Sequence, residues 1–296
     1  MTDSCRQSSL EVSETLLGSA PASTNYWFLV ESRTPFTPKV VKQSPLAEQL
    51  KPLTVRLANK IPTARVQFIR RPEMRNTQEP LKAFIADARQ PEARLWERQF
   101  GCHEELFDIE WPEEPSLSAP SGFSAVSDPL VLICTHGKRD ACCAVHGRAF
   151  LKGFTQANRA LVWESSHIGG HRFAATCVTL PAGHYYGRLH ATDANPLLEA
   201  TMQNRLFDLR TYRGFATLPV AAQVAEGQLR KSLGLLGISE VHYAGLDKDN
   251  AHVFKISGSE RLHKAYVTST HSDDVRVKSC GREPDPFIRH TVAWAP

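Results

Sequence analysis

The chain has 296 residues, 42% hydrophobic and 22% charged, which excludes a collagen-like or wholly disordered protein and allows one large domain or two ordinary ones. The formal net charge is only +4 and the acidic residues are spread along the chain, so no nucleic-acid partner is expected. No apolar signal region follows the polar start, no run of about 18 apolar residues offers a membrane span, and seven cysteines form an odd set. That odd count argues against a disulfide framework and for a reducing, cytoplasmic setting in which clustered Cys and His serve as metal ligands or catalysts.

Residues 1–24 are rich in Ser, Thr and Ala, lack periodicity and read as partly mobile. Tyr26–Val30 reads as a buried strand, Arg33–Pro38 as a turn, and Val66–Ile69 and Lys82–Ala88 as further strands, with helix open for the last. Glu110–Asp128 is crowded with Pro, Ser, Gly and Glu and reads as a linker. It divides an N-terminal α/β lobe, 1–115, from a second domain, 116–296. Within that domain Leu130–Cys134 is β-rich, Ala141–Ala157 turns helical, and Ala160–Trp163 and Phe173–Leu180 are strand-like. Helices are expected at Pro196–Asn204 and at Pro219–Leu233, the latter opened by proline and stopped before Gly234. Short strands are expected at Glu240–Tyr243, His252–Ile256 and Ala265–Thr268. Such alternation predicts a mixed α/β fold.

Two segments carry chemistry: Cys134-Thr-His-Gly-Lys-Arg-Asp-Ala-Cys-Cys143 and His167-Ile-Gly-Gly-His171. Both follow predicted strands, so they can converge on one edge of a sheet. Thiolate sulfur and imidazole nitrogen are the donors preferred by zinc, copper and iron–sulfur centres. Gly169 and Gly170 let backbone approach a cluster closely and adopt positive φ. Either pair alone is a weak signal; both pairs bracketing one strand–helix–strand unit point to a metal.

These residues resemble the sucrase/ferredoxin-like family, whose members carry a thioredoxin-like ferredoxin domain. Cys134–Cys143 and His167–His171 carry the likeness most specifically. Looser matches run through Leu180–Gly187, Cys5–Glu31, Arg65–Arg71, Tyr212–Gly214, Gln223, Glu226 and Ser279–Pro284. The resemblance implies an α/β, thioredoxin-like ferredoxin unit at about 125–195, flanked by the N-terminal lobe and a C-terminal helix/strand extension. It also implies a 2Fe-2S cluster with Cys134, Cys143, His167 and His171 as ligands, serving electron transfer with an unidentified redox partner protein rather than a substrate of its own. Replacing two thiolates by neutral imidazoles makes an electron easier to accept, so the potential is expected to lie above the roughly −400 mV of all-cysteine plant-type centres and to be coupled to protons. The two cysteines are expected on one iron and the two histidines on the other. Cys142 stands where relatives often carry a basic residue, either as a spare thiol or as an exchange ligand.

Neighbouring residues have plainer readings. Asp140 suits a helix N-cap. Arg139 is a surface cation or a donor to the cluster, and His136 a nearby hydrogen-bond donor or alternate ligand. Cys177 is core; Cys5, Cys102 and Cys280 are ordinary thiols. His184, Tyr185 and Tyr186 pack as aromatics or shield the cluster. Three rivals remain: a structural Cys2His2 zinc site, a thiol oxidoreductase, which would want a Cys-x-x-Cys that is absent, and a reductase acting directly on a small oxidant or metal chelate. No hydrolase or nucleotide-binding motif is present.

Overall fold

The apolar runs become strands whose two faces are both covered, which is why they read as continuous rather than alternating. The computed structural model describes residues 4–71, 73, 77–89, 93–111 and 119–295. The first half contains α1 (Cys5–Glu11), β1 (Tyr26–Glu31), α2 (Val40–Gln43), α3 (Pro45–Gln49), α4 (Lys51–Lys60), β2 (Ala64–Arg70), β3 (Leu81–Asp87), β4 (Arg94–Phe100) and β5 (Ser124–Val126). The second half contains β6 (Leu130–Cys134), α5 (Ala141–Lys152), β7 (Val162–Ser165), β8 (Cys177–Leu180), β9 (His184–Tyr186), α6 (Ala194–Met202) and β10 (Tyr212–Phe215). After these come α7 (Val220–Leu233), β11 (Val241–Leu246), β12 (His252–Ile256), β13 (Leu262–Val277) and β14 (Pro284–Trp294).

Ten strands form one mixed sheet in the order β10-β9-β8-β6-β7-β2-β1-β3-β4-β5. The two halves repeat one pattern. β1 and β2 are parallel across a helical crossover, β3 returns antiparallel to β1, and β4 and β5 follow antiparallel. β6, β7, β8, β9 and β10 do the same. The halves meet through a short antiparallel contact in which Ile69 faces Ser165 and Arg70 faces Glu164. A buried Arg70–Glu164 ion pair of 2.6 Å reinforces this seam. So does Ser166, whose Oγ donates to Gln67 Oε1 at 2.7 Å and accepts from the Phe68 amide at 3.1 Å. One apolar cluster, including Trp27, Leu29, Ile69, Leu132 and Trp163, crosses the seam. β11–β14 form a separate antiparallel sheet, and Ala222, Ala225 and Leu229 of α7 pack on it against Val241, Phe254 and Ala265. Among the described residues no helix is long and apolar enough to cross a membrane.

Several expectations change. Residues 5–11 are helical, not loose: the Ser4 hydroxyl caps α1 by accepting from the Gln7 amide at 3.1 Å, and Cys5 and Ser9 are buried. A helix of two turns is too short for its period to show. Part of the expected linker, 112–118, lies outside the described residues, while its end forms β5 on the sheet edge. The helix read over 141–157 stops at Lys152 and is followed by a 3-10 turn, Gln156–Leu161. The strand read at Phe173–Leu180 shortens to β8, because His171–Phe173 form a 3-10 turn. Ala265–Thr268 is a small part of the 16-residue β13, whose exposed polar remainder gives no apolar alternation.

Candidate metal centre

Cys134 ends β6, and its register partner Ser165 ends the adjacent parallel strand β7. Chain leaving both strands at the same end therefore meets in the middle of the sheet, not at its edge. After Cys134 the chain turns into α5, with Cys143 in the first helical turn; after Ser165 it enters the loop bearing His167 and His171. Gly147 lets α5 lie against the end of β6, since a Cβ there would stand 2.1 Å from the Cys134 carbonyl oxygen. The donor atoms of Cys134, Cys143 and His167 all lie within 4.8 Å of one another. His167 Nδ1 is 3.6 Å from Cys134 Sγ and 3.8 Å from Cys143 Sγ. The fourth residue, His171, sits one step outward. Its Nδ1 is 3.4 Å from His167 Nε2, and its buried Nε2 has no hydrogen-bond partner.

The surroundings fix this loop from three sides. Gly169 and Gly170 adopt φ of +97° and +76°, the region glycine enters without penalty. The buried Arg213 guanidinium donates to the Gly169 carbonyl at 3.1 Å, to Ser19 Oγ at 3.0 Å and to the Ser19 carbonyl. Arg65 donates to the His167 carbonyl at 3.3 Å. His136 Nδ1 accepts from the His167 amide at 3.1 Å, so its Nε2, 2.8 Å from the Thr37 carbonyl, carries the proton and donates. Both its nitrogens are thus engaged, which removes His136 as an alternate ligand.

The hydrogen bond with Cys143 holds the Cys134 thiol well below its ordinary range against the cost of burial, and His167 helps. The same bond and burial push the Cys143 thiol up. Burial lowers His171, although Asp140 acts in the opposite sense from 3.7 Å. A cleft of about 450 Å³ opens beside His167 and His136, lined by the exposed cations Lys39, Lys42, Lys138 and Arg139.

Asp140 is the N-cap expected, its carboxylate accepting from the Cys142 amide at 3.0 Å. Cys177 is core, and His184, Tyr185 and Tyr186 are buried in β9, with His184 Nδ1 3.0 Å from the Tyr212 hydroxyl. Cys102 is exposed. Cys5 and Cys280, read from the sequence as ordinary thiols, both lie against Cys142 and Asp140 and form with them a second group of possible metal donors. Their positions at opposite ends of the chain hid this from a search for local spacing. Hydrogen bonding from Cys5 brings the Cys142 thiol down to about 6.

The profile of the sucrase/ferredoxin-like family matches residues 16–214, more than half of the chain, and the chain belongs to that family. A 100-residue stretch is 33% identical to Altered inheritance of mitochondria protein 32 of Meyerozyma guilliermondii. That match covers 30% of this chain and 36% of the relative, so the chain spans little more than a third of that protein's length. No solved structure matches the chain.

Proposed function

We propose that this chain is an electron carrier holding a 2Fe-2S cluster on Cys134, Cys143, His167 and His171. The observation that carries the reading is convergence: residues 33 and 24 positions apart in the chain bring two thiols and an imidazole to one point at the ends of adjacent parallel strands. The donor set fits the group. Two buried sulfurs and an imidazole suit a soft, sulfur-rich centre, and His171, with Nδ1 3.4 Å from His167 Nε2, is the further imidazole within reach of a loop shift. When bound, the cluster supplies a one-electron redox centre whose potential two neutral ligands raise. The strand order shared by the two halves supports a thioredoxin-like reading of the unit at 125–195.

The chain's own residues do the rest. Gly169, Gly170 and Arg213 set the path of the histidine loop, and His136 fixes the backbone of His167. The buried Arg213 cation favours added negative charge nearby. Half-exposed His167 lies at the floor of the basic cleft, a short route for an electron to an acidic docking face.

The test is anaerobic purification followed by iron, acid-labile sulfide, absorption and EPR measurement. A brown protein with two irons and two sulfides per chain, lost in Cys134→Ser, is the expected result. Stoichiometric zinc with no iron, bound by Cys134 and Cys143, would refute the assignment.

A further inference from the structure

A second donor group lies behind the first, built from parts of the chain that have no local relation. Cys5 opens α1, Cys142 stands in the first turn of α5, and Cys280 lies in the turn joining β13 to β14. Their sulfurs form a nearly equilateral triangle. Cys5 Sγ and Cys142 Sγ are 3.5 Å apart, Cys142 Sγ and Cys280 Sγ 3.4 Å, and Cys280 Sγ and Cys5 Sγ 3.5 Å. Asp140 Oδ1 completes the group at 3.6 Å from Cys5 Sγ. All four donor atoms lie within 4.8 Å of one another.

The arrangement exceeds what packing requires. Three thiols could serve as small apolar fillers, but a buried carboxylate among them is costly unless it is employed. This one is employed: it accepts from the Cys142 amide at 3.0 Å, the Cys280 amide at 3.0 Å and the Ser279 hydroxyl at 3.0 Å. The carboxylate thereby fixes the backbone of two of the three cysteines. A disulfide would use two of the sulfurs and strand the third; all three are free thiols. Around a tetrahedral zinc ion with Zn–S bonds of about 2.3 Å, sulfurs stand about 3.8 Å apart. The triangle needs to open by only a few tenths of an ångström to reach that value.

We propose that Cys5, Cys142, Cys280 and Asp140 form a structural zinc site, separate from the cluster site, that ties the N-terminal helix and the C-terminal hairpin to the helix carrying Cys143. A closed set of three sulfurs and one oxygen, with all four positions filled by protein, is the arrangement of a structural rather than a catalytic ion.

The experiment is elemental analysis of the full chain purified without chelator, with zinc, iron and sulfide read separately. One zinc per chain is expected in the wild type. Cys5→Ser and Cys280→Ser should each lose that zinc and keep their iron, whereas Cys134→Ser should lose iron and keep zinc. Zinc absent from the wild type after incubation with zinc sulfate would overturn the proposal. So would zinc retained in both serine variants, zinc lost with Cys134→Ser, copper in its place, or a disulfide found among the three residues by mass spectrometry. Should the serine variants fail to fold, zinc K-edge absorption on the wild type decides. Three sulfur neighbours at about 2.3 Å and one oxygen are required; any other shell overturns it. Failure of the cluster assignment alone would instead appear as missing iron and sulfide.

Discussion

Gly170→Ala is the most informative single change, because the structure separates its two costs and provides a control for one of them. At φ +76° an added Cβ would stand 2.4 Å from Arg213 Nη2 and 2.7 Å from its Cζ. The left-handed backbone alone costs roughly 1–2 kcal/mol, partly offset by about 0.4–1 kcal/mol from the stiffer unfolded chain. The clash adds more. Arg213 is buried, and moving its guanidinium breaks at least one of its hydrogen bonds to the Gly169 and Ser19 carbonyls. A hydrogen bond involving a charged group contributes about 1.5–3 kcal/mol. Gly170→Ala should therefore destabilise by about 2–4 kcal/mol. Gly234, at the end of α7, has φ +70° and nothing within 4 Å of the would-be Cβ. Gly234→Ala should cost only about 1 kcal/mol. The assay is urea unfolding of both variants beside the wild type. Equal losses for the two would refute the claim that Arg213 clamps the histidine loop.

Gly147→Ala should push α5 away from β6, since its Cβ would meet a backbone oxygen that cannot rotate aside. A loss of at least about 1–3 kcal/mol in urea unfolding, with iron content well below the wild type, is expected; full iron occupancy would contradict it. His167→Cys should retain iron and sulfide while lowering the midpoint potential by an amount on the order of hundreds of millivolts, read by redox titration; an unchanged or raised value argues against His167 as a ligand. In the wild type that potential should fall with rising pH, and a flat response between about pH 6 and 9 would contradict the proton coupling expected of imidazole ligands. Burial holds the His184 imidazole well below its ordinary value of about 6.5, so the unfolded chain binds its proton first. Stability from this group is therefore complete above about pH 6.5 and falls below it, by about 1.4 kcal/mol per pH unit. His184→Gln should flatten the urea-unfolding profile below that pH, and an unaltered slope would exclude His184 as a contributor.

The sequence revealed elements wherever burial was uniform or a stop signal was chemically sharp. β1 is buried at every residue and was visible as a run, and α7 is bracketed by Pro219 and by Gly234 in the left-handed region. The edge strand β10 was hidden because Tyr212-Arg-Gly-Phe215 buries a charged residue, whose purpose is apparent only once the Gly169 carbonyl lies beside it. Long β14 was hidden because most of its residues remain exposed and its alternation slips between Ile288 and Arg289. In the candidate site, Cys134, Cys143 and His167 were legible through spacing, since the strand–helix–strand unit that joins them is local in sequence. Cys5 and Cys280 were not, because |i−j| between them is 275 and only the folded chain makes them neighbours.

The adjacent cysteines of α5 now have a geometric explanation. Successive residues of an α-helix point about 100° apart, so neighbouring thiols in one turn cannot serve the same centre equally. Cys143 faces the ends of β6 and β7 and packs with Cys134, while Cys142 faces α1 and the turn between β13 and β14. Asp140 stands between these directions. One of its oxygens caps the helix that aims both thiols, and the other lies 3.7 Å from His171 Nε2. The dipole at the N-terminus of α5 favours negative charge on both sets of sulfurs, which lowers the cost of gathering it there. Under the two proposals, a single capped helix orients a redox centre on one side through Cys143 and fastens the distant ends of the chain on the other through Cys142.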